Sequence, residues 1–119
     1  MMKVLMFLLL NSLFQNNIKI IDPENFLELS KDRIVVIDVR TPAEHNLGHI
    51  ENAVNISIAD IDFIKKIEKL AKNNIYVIYC RSGNRSSIAT KQMSDMGFIN
   101  LYHLNVGYLG WKKYINSKQ

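Results

Sequence analysis

Two uninterrupted apolar runs constrain this chain more than any other feature: Ile34-Val35-Val36-Ile37, continuing through Asp38 to Val39, and Ile75-Tyr76-Val77-Ile78-Tyr79. Both have the length and β-branching of strands, and neither alternates apolar with polar residues, so each must be covered on both faces. Helical patterns lie between and after them, and strands alternating with helices imply a parallel sheet between two layers of helices. The 119 residues suffice for one core, and no repeat, low-complexity tract or Gly/Pro-rich linker divides them. The remaining elements follow from local punctuation. Ile18 to Ile21 reads as a short strand, and Asp22-Pro23 caps a helix running to about Ser30. Thr41-Pro42-Ala43-Glu44 reads as a capping box opening a short helix that ends near Gly48, and Ala53 to Ile56 reads as another strand. A helix is expected from Asp60 to Asn73, with Ile61, Ile64, Ile67 and Leu70 inward and Lys65, Lys66, Lys69 and Lys72 outward. Another is expected from about Ser86 to Gly97, using Ile88, Ala89, Gln92, Met93 and Met96. Leu101 to Leu104 then forms the last strand and Tyr108 to Ile115 the last helix.

The only cysteine, Cys80, falls where the second apolar run stops, followed by Arg81, Ser82, Gly83, Asn84, Arg85 and Ser86. A strand, a tight loop and a helix succeed one another here. The first N–H groups of a helix lack intrahelical partners and sit at the positive end of its dipole, so the loop attracts an anion. A thiol placed there, beside arginines, ionises more readily than a free one. Buried structural cysteines are common. This one, however, is trailed by charged and turn-forming residues rather than core formers, which points to a nucleophile. Gly83 and Asn84 are the types that tolerate a loop whose N–H groups all turn inward.

From Ile20 to Trp111 the chain resembles the rhodanese-like sulfurtransferases. The matching blocks are Val36-Ile37-Asp38-Val39-Arg40, Glu44, Gly48-His49-Ile50 with Ala53-Val54-Asn55-Ile56, Cys80 to Ser86, and Leu104 with Gly107 and Trp111. The chain departs from the family at Asn52, where a glycine is usual, and at Val106-Gly107, where two glycines are. The resemblance implies a single rhodanese-like α/β domain, a mainly parallel sheet flanked by helices on both faces. It also implies sulfur transfer through a persulfide on Cys80, from a small donor such as thiosulfate to cyanide, a small thiol or a protein thiol. Arg81 and Arg85 are then expected to attract the donor anion, and the loop N–H groups to stabilise the intermediates. Ser82 and Ser86 are placed either to bond the persulfide or to cap the helix.

Two other readings stay open. Related folds use a cysteine and a downstream arginine for phosphatase or arsenate reductase chemistry, but their loop has one residue more between the two than the four, Arg81 to Asn84, found here. Other rhodanese-like domains are sulfur carriers or interaction modules without catalysis, and these commonly lack the cysteine.

Asp38, Arg40, Glu44 and His49 are close enough in sequence to be drawn with Cys80 as a triad. A cysteine that is already ionised needs no general base, so they are expected instead to form an ion-paired, hydrogen-bonded structural corner, with Trp111 in the core. His45 and His103 read as surface or half-buried side chains, and one cysteine with scattered histidines has no metal-ligand spacing. Neither a metal nor any other cofactor is expected. The net charge of +4 is gathered only on the lysine-faced helix, without interleaved aromatics, so that face reads as solvated rather than as a nucleic-acid surface. Residues 1–17 carry a basic start and the apolar run Val4 to Leu10. This suits a secretory signal or an apolar arm packed on a domain of residues 18–119, and is too short for a confident membrane span. The expectation is export to the periplasm or beyond, with a cytoplasmic location as the alternative.

Overall fold

The computed structural model describes residues 18–119; the expectations for residues 1–17 lie outside them. Five strands, β1 (Ile18–Ile20), β2 (Ile34–Asp38), β3 (Val54–Asn55), β4 (Ile75–Tyr79) and β5 (Asn100–His103), form one sheet in the order β1-β5-β4-β2-β3. Every pairing is parallel. The two apolar runs are the adjacent strands β2 and β4, paired from Ile34 with Ile75 to Asp38 with Tyr79.

Because successive side chains of a strand point to opposite faces, each run feeds two cores. On one face Ile37, Val39, Tyr76, Ile78 and Cys80 pack with Phe63 and Ile67 of α3 (Phe63–Glu68) and Ala89 and Met93 of α4 (Asn84–Asp95). On the other, Val36, Val77 and Tyr79 pack with Phe26 of α1 (Pro23–Leu29), Ile50 and Leu104, and with Tyr108 and Trp111 of α5 (Gly107–Ser117). The remaining helix, α2 (Pro42–Leu47), follows β2. Asp22 caps α1 by accepting from the Asn25 N–H at 2.8 Å, and the Thr41–Glu44 capping box opens α2 as expected.

Two helices differ from the sequence expectation. α3 begins at Phe63, since Asp60 and Asp62 are taken up in a turn where the Asp60 carboxylate accepts the Asp62 N–H at 2.9 Å. Its inward side chains are Phe63 and Ile67, four apart, whereas Ile61 is 98% and Ile64 39% exposed. The helix also ends at Glu68 rather than Asn73; of the expected inward series Ile67 is buried and Leu70, beyond the helix, packs on the same core, whereas Ile61 falls in the turn before Phe63 and Ile64 is off the buried face. Of the lysines, Lys66 pairs with Asp60, and Lys72 lies 4.2 Å from the centre of the Phe98 ring. α4 begins two residues earlier than expected, at Asn84, and it buries Ser86, Ala89, Thr90 and Met93 while leaving Ile88 exposed.

Both departures from the family pattern are absorbed locally. Asn52 adopts the positive φ of 67° that a glycine would otherwise supply. At the second, Val106 takes an ordinary right-handed φ of −73°, whereas the glycine that is kept, Gly107, has φ 68°, and a Cβ there would lie 2.3 Å from the Arg81 carbonyl oxygen, so it is required where the loop after β4 meets α5.

Candidate active site

The loops after β2 and β4 lie side by side at the carboxyl ends of the strands, where open parallel sheets bind ligands. Cys80 follows β4 directly and is buried, 1% exposed. The Gly83 N–H points at its Sγ from 3.1 Å and the Ser86 hydroxyl from 3.2 Å. The loop carbonyls turn away. Those of Cys80 and Arg81 accept the Tyr108 and Leu109 N–H groups at the start of α5, at 2.8 and 3.1 Å. Burial alone would push the Cys80 thiol up. The Ser86 hydroxyl and the N–H groups of Ser86, Gly83 and Ser82 outweigh it, and the thiol lies below its ordinary value. Gly83, with φ 110°, makes the turn possible, and no Cβ fits there because one would lie 2.4 Å from the Asn105 carbonyl oxygen.

The other loop residues are placed differently from one another. Arg81, Ser82 and Asn84 are exposed. Arg85 does not stand free for an anion as the sequence suggested; its guanidinium is held end-on by Glu44, at 2.7 Å from Nη1 to Oε1 and 2.9 Å from Nη2 to Oε2. A bidentate fork of this kind is the strongest geometry available to arginine and carboxylate. Arg85 with the Thr41 capping contacts holds the Glu44 carboxyl down at about 2. Arg81, Lys112 and Arg40 bring positive charge to an open pocket of about 300 Å³ that Glu44, Leu47, Gly48, Tyr108 and Leu109 also line.

Asp38 and Arg40 form the corner beyond β2. Asp38 is fully buried, and its carboxylate takes Arg40 Nη2 at 2.7 Å, Arg40 Nε at 2.9 and 3.1 Å and the Tyr79 hydroxyl at 3.1 Å. Arg40 Nη2 continues to the Gly48 carbonyl at 2.7 Å, and its guanidinium carbon lies 4.5 Å from the centre of the Tyr108 ring. Burial raises the Asp38 carboxyl, but hydrogen bonds from Arg40 and His45 and the arginine's charge leave it below its usual range.

The histidine of this corner is not the one expected. His49 is exposed and bonds the His45 carbonyl through Nδ1 at 2.9 Å, whereas His45 Nδ1 reaches Asp38 Oδ2 at 2.9 Å. The two rings stack with centroids 3.7 Å apart. His45 lies within α2 and reaches the Asp38 carboxylate, whereas His49 follows the helix, beyond Gly48. His103 is likewise not a surface side chain. It is buried at the end of β5, with Nε2 2.7 Å from the Ser86 hydroxyl. The polar-flanked Ser86 and the last-strand His103 gave no motif in the sequence, because their contact joins the first turn of α4 to the end of β5, 17 residues apart. Trp111 packs 5.2 Å, centroid to centroid, from Phe26 and belongs to the second core. Among the described residues no group of acidic, histidine or cysteine side chains is arranged to hold a metal ion, and no helix is long and apolar enough to cross a membrane.

The chain is 34% identical over 101 residues to a tRNA uridine(34) hydroxylase of Pelagibacter ubique, covering 83% of this chain and 34% of the relative. It therefore spans about a third of the length of that relative. It is 31% identical over 118 residues to a putative mitochondrial thiosulfate sulfurtransferase of Schizosaccharomyces pombe, covering 86% of this chain and 83% of the relative. The crystal structure of a rhodanese-related protein from Thermoplasma volcanium superposes with a TM-score of 0.72 at 29% identity, over 81% of this chain and 92% of that one. The family model of the Rhodanese-like domain matches residues 22–114, from the cap of α1 through most of α5 and including four of the five strands, and the chain belongs to that family.

Proposed function

We propose that the protein is a sulfurtransferase that carries sulfane sulfur as a persulfide on Cys80. The observation that supports this best is the cradle of the thiol. Sγ is the acceptor of the Gly83 N–H and the Ser86 hydroxyl, in a loop whose carbonyls are engaged elsewhere. A purely structural cysteine needs burial but no donors.

In the first step the Cys80 thiolate attacks the outer sulfur of thiosulfate. The bond between the two donor sulfurs breaks, its electron pair leaves with sulfite, and Cys80 becomes a persulfide. In the second step a nucleophile such as cyanide or a thiolate takes the outer sulfur, and the Cys80 thiolate leaves with the electron pair of the persulfide bond. No proton has to be removed if the thiol is already ionised, which agrees with the absence of an imidazole in direct contact with Sγ among the described residues. Arg81 and Lys112, beside the loop, draw the anionic donor in, and Arg85, tied to Glu44, holds the two loops together rather than binding substrate. The small ring, with one residue fewer between cysteine and arginine than in the phosphatase arrangement, suits a single sulfur atom better than a tetrahedral phosphate.

The test is incubation of the purified chain with thiosulfate, followed by mass spectrometry and a thiocyanate assay. A mass gain of one sulfur on Cys80, removed by cyanide with thiocyanate released, is expected. No adduct and no thiocyanate, with an aryl phosphate hydrolysed instead, would overturn the reading. A second reading, favoured by the 34% identity to the hydroxylase relative, is participation in the modification of tRNA uridine 34. Nucleoside analysis of tRNA incubated with the chain tests it separately.

A further inference from the structure

The Ser86 hydroxyl has one proton and three neighbours that can accept it. They are Cys80 Sγ at 3.2 Å, the Gly83 carbonyl at 3.2 Å and His103 Nε2 at 2.7 Å. The Gly83 carbonyl already takes the Ser87 N–H at 3.0 Å. The nearest neighbour therefore decides. If Nε2 is bare, it takes the hydroxyl proton, and Ser86 turns its lone pairs toward the sulfur. If Nε2 carries the imidazole proton, it donates into Ser86 Oγ, and the hydroxyl proton is left for Sγ.

We infer that His103 is a positioning residue for the sulfur chemistry, holding its proton on Nε2 and acting through the Ser86 hydroxyl to stabilise the Cys80 thiolate. This rests on the reading of Cys80 as the sulfur-carrying nucleophile. The ring cannot reorient freely, because it is buried at the end of β5 between β1 and β4. Burial also disfavours the imidazolium, so a single proton has to be placed on one nitrogen or the other. His103 reaches a cavity of about 500 Å³ on its far side, whose charged lining groups are Lys91 and Asp95 of α4, with only Ile18 and Ile20 from β1. On the side of Cys80 the cation that feels the thiolate is Arg85, which Glu44 engages. Lys91 and Asp95 line the cavity rather than the sulfur, and Glu44 engages Arg85, so a change in thiol ionisation on altering His103 reports on the hydroxyl and the imidazole. The arrangement differs from a cysteine–histidine pair in that the imidazole never touches the sulfur and takes no proton from it.

The test is the pH dependence of Cys80 alkylation by iodoacetamide, which needs no sulfur transfer and is unambiguous because the chain has one cysteine. His103→Leu is expected to raise the alkylation midpoint by about one pH unit, a tenfold loss of thiolate below it. His103→Gln, whose amide N–H is able to replace Nε2–H, is expected to restore the wild-type midpoint. Ser86→Ala is expected to raise the midpoint as well, and adding His103→Leu to it to change nothing further. A folded His103→Leu with the wild-type midpoint, or a His103→Leu shift that persists undiminished without the Ser86 hydroxyl, would overturn the inference. Nitrogen NMR of the unmodified protein at a pH where Cys80 is ionised keeps it testable even if the variants misfold: Nε2–H is expected, and Nδ1–H with a bare Nε2 would sink it. Failure of the thiosulfate assay alone would count against the proposed function and not against this coupling.

Discussion

The ends of β2 and β4 are neighbours in one sheet, yet they treat a negative charge in opposite ways. Beyond β2 the Asp38 carboxylate is matched by a full cation, with Arg40, Tyr79 and His45 filling its acceptor positions. Beyond β4 the Cys80 sulfur receives N–H and hydroxyl donors but, among the described residues, no cation hydrogen-bonds it, and Arg85, whose charge it feels, is held by Glu44. A saturated ion pair is inert: any reaction at Asp38 would strand Arg40 in the interior. A sulfur held by dipoles alone keeps a lone pair for attack, and its stabilisation persists when the charge moves to the outer atom of a persulfide. Similar burial thus serves scaffolding at one strand end and chemistry at the other.

The widest separation between the two ends is expected on replacing the acceptors themselves. Cys80→Ser should remove sulfur transfer altogether and leave the melting temperature close to wild type, since the smaller hydroxyl fits the same cradle but is not ionised at neutral pH. Retained thiocyanate production in this variant would take Cys80 out of the reaction. Asp38→Asn should do the reverse. It strands a buried guanidinium, so a stability loss of about 3–5 kcal/mol is expected in denaturant titration, with turnover of the folded fraction changed only a few-fold. An unaltered unfolding midpoint with turnover down a thousandfold, on the order of losing a catalytic base, would make Asp38 a participant and erase the contrast.

Gly83→Ala probes whether the dipole cradle depends on the backbone being where it is. The added Cβ meets the Asn105 carbonyl oxygen, and φ at 110° disfavours any side chain, so the loop has to shift. Displacing one oriented donor costs about 100-fold or more in comparable anion sites, and a turnover loss of that order is expected alongside a modest destabilisation. A variant that loses stability but keeps its turnover would show that the Gly83 N–H is not among the groups on which the chemistry depends.

Much of this was legible in the sequence because it is local. The two apolar runs, the Thr41–Glu44 capping box and the Cys80 loop are each written within a few consecutive residues. The polar pairings were not. Choosing His45 over His49 for the corner required knowing where the carboxylate points after β2 and that the helix ends before His49. Arg85 looked like an anion ligand because its partner, Glu44, lies 41 residues away. His103 read as a surface or half-buried side chain, since nothing near it in sequence shows that β4 and α4 enclose it and bring Ser86 to it. Within-element signals survive in one dimension, whereas contacts between strand ends depend on sheet order.

The smallest expected effect concerns the ion pair that joins the two ends. Glu44 follows β2 and Arg85 follows β4, and their side chains are 29% and 36% exposed, so solvent screens the pair and its contribution at neutral pH is modest. Its pH dependence is nonetheless distinctive. The Glu44 carboxyl is held at about 2 in the folded protein against 4.5 for an ordinary glutamate. A depressed folded value means that the unfolded chain binds the proton first, so the stabilisation is complete above about 4.5 and is lost as the pH falls toward about 2. Glu44→Gln should therefore be slightly less stable than wild type at pH 6, with the difference shrinking steadily across that acid window. Asp38 titrates in both proteins and cancels in the comparison. A stability difference that stays constant from pH 6 to pH 2 would mean that the carboxylate charge contributes nothing, and that the two strand ends are held together by packing alone.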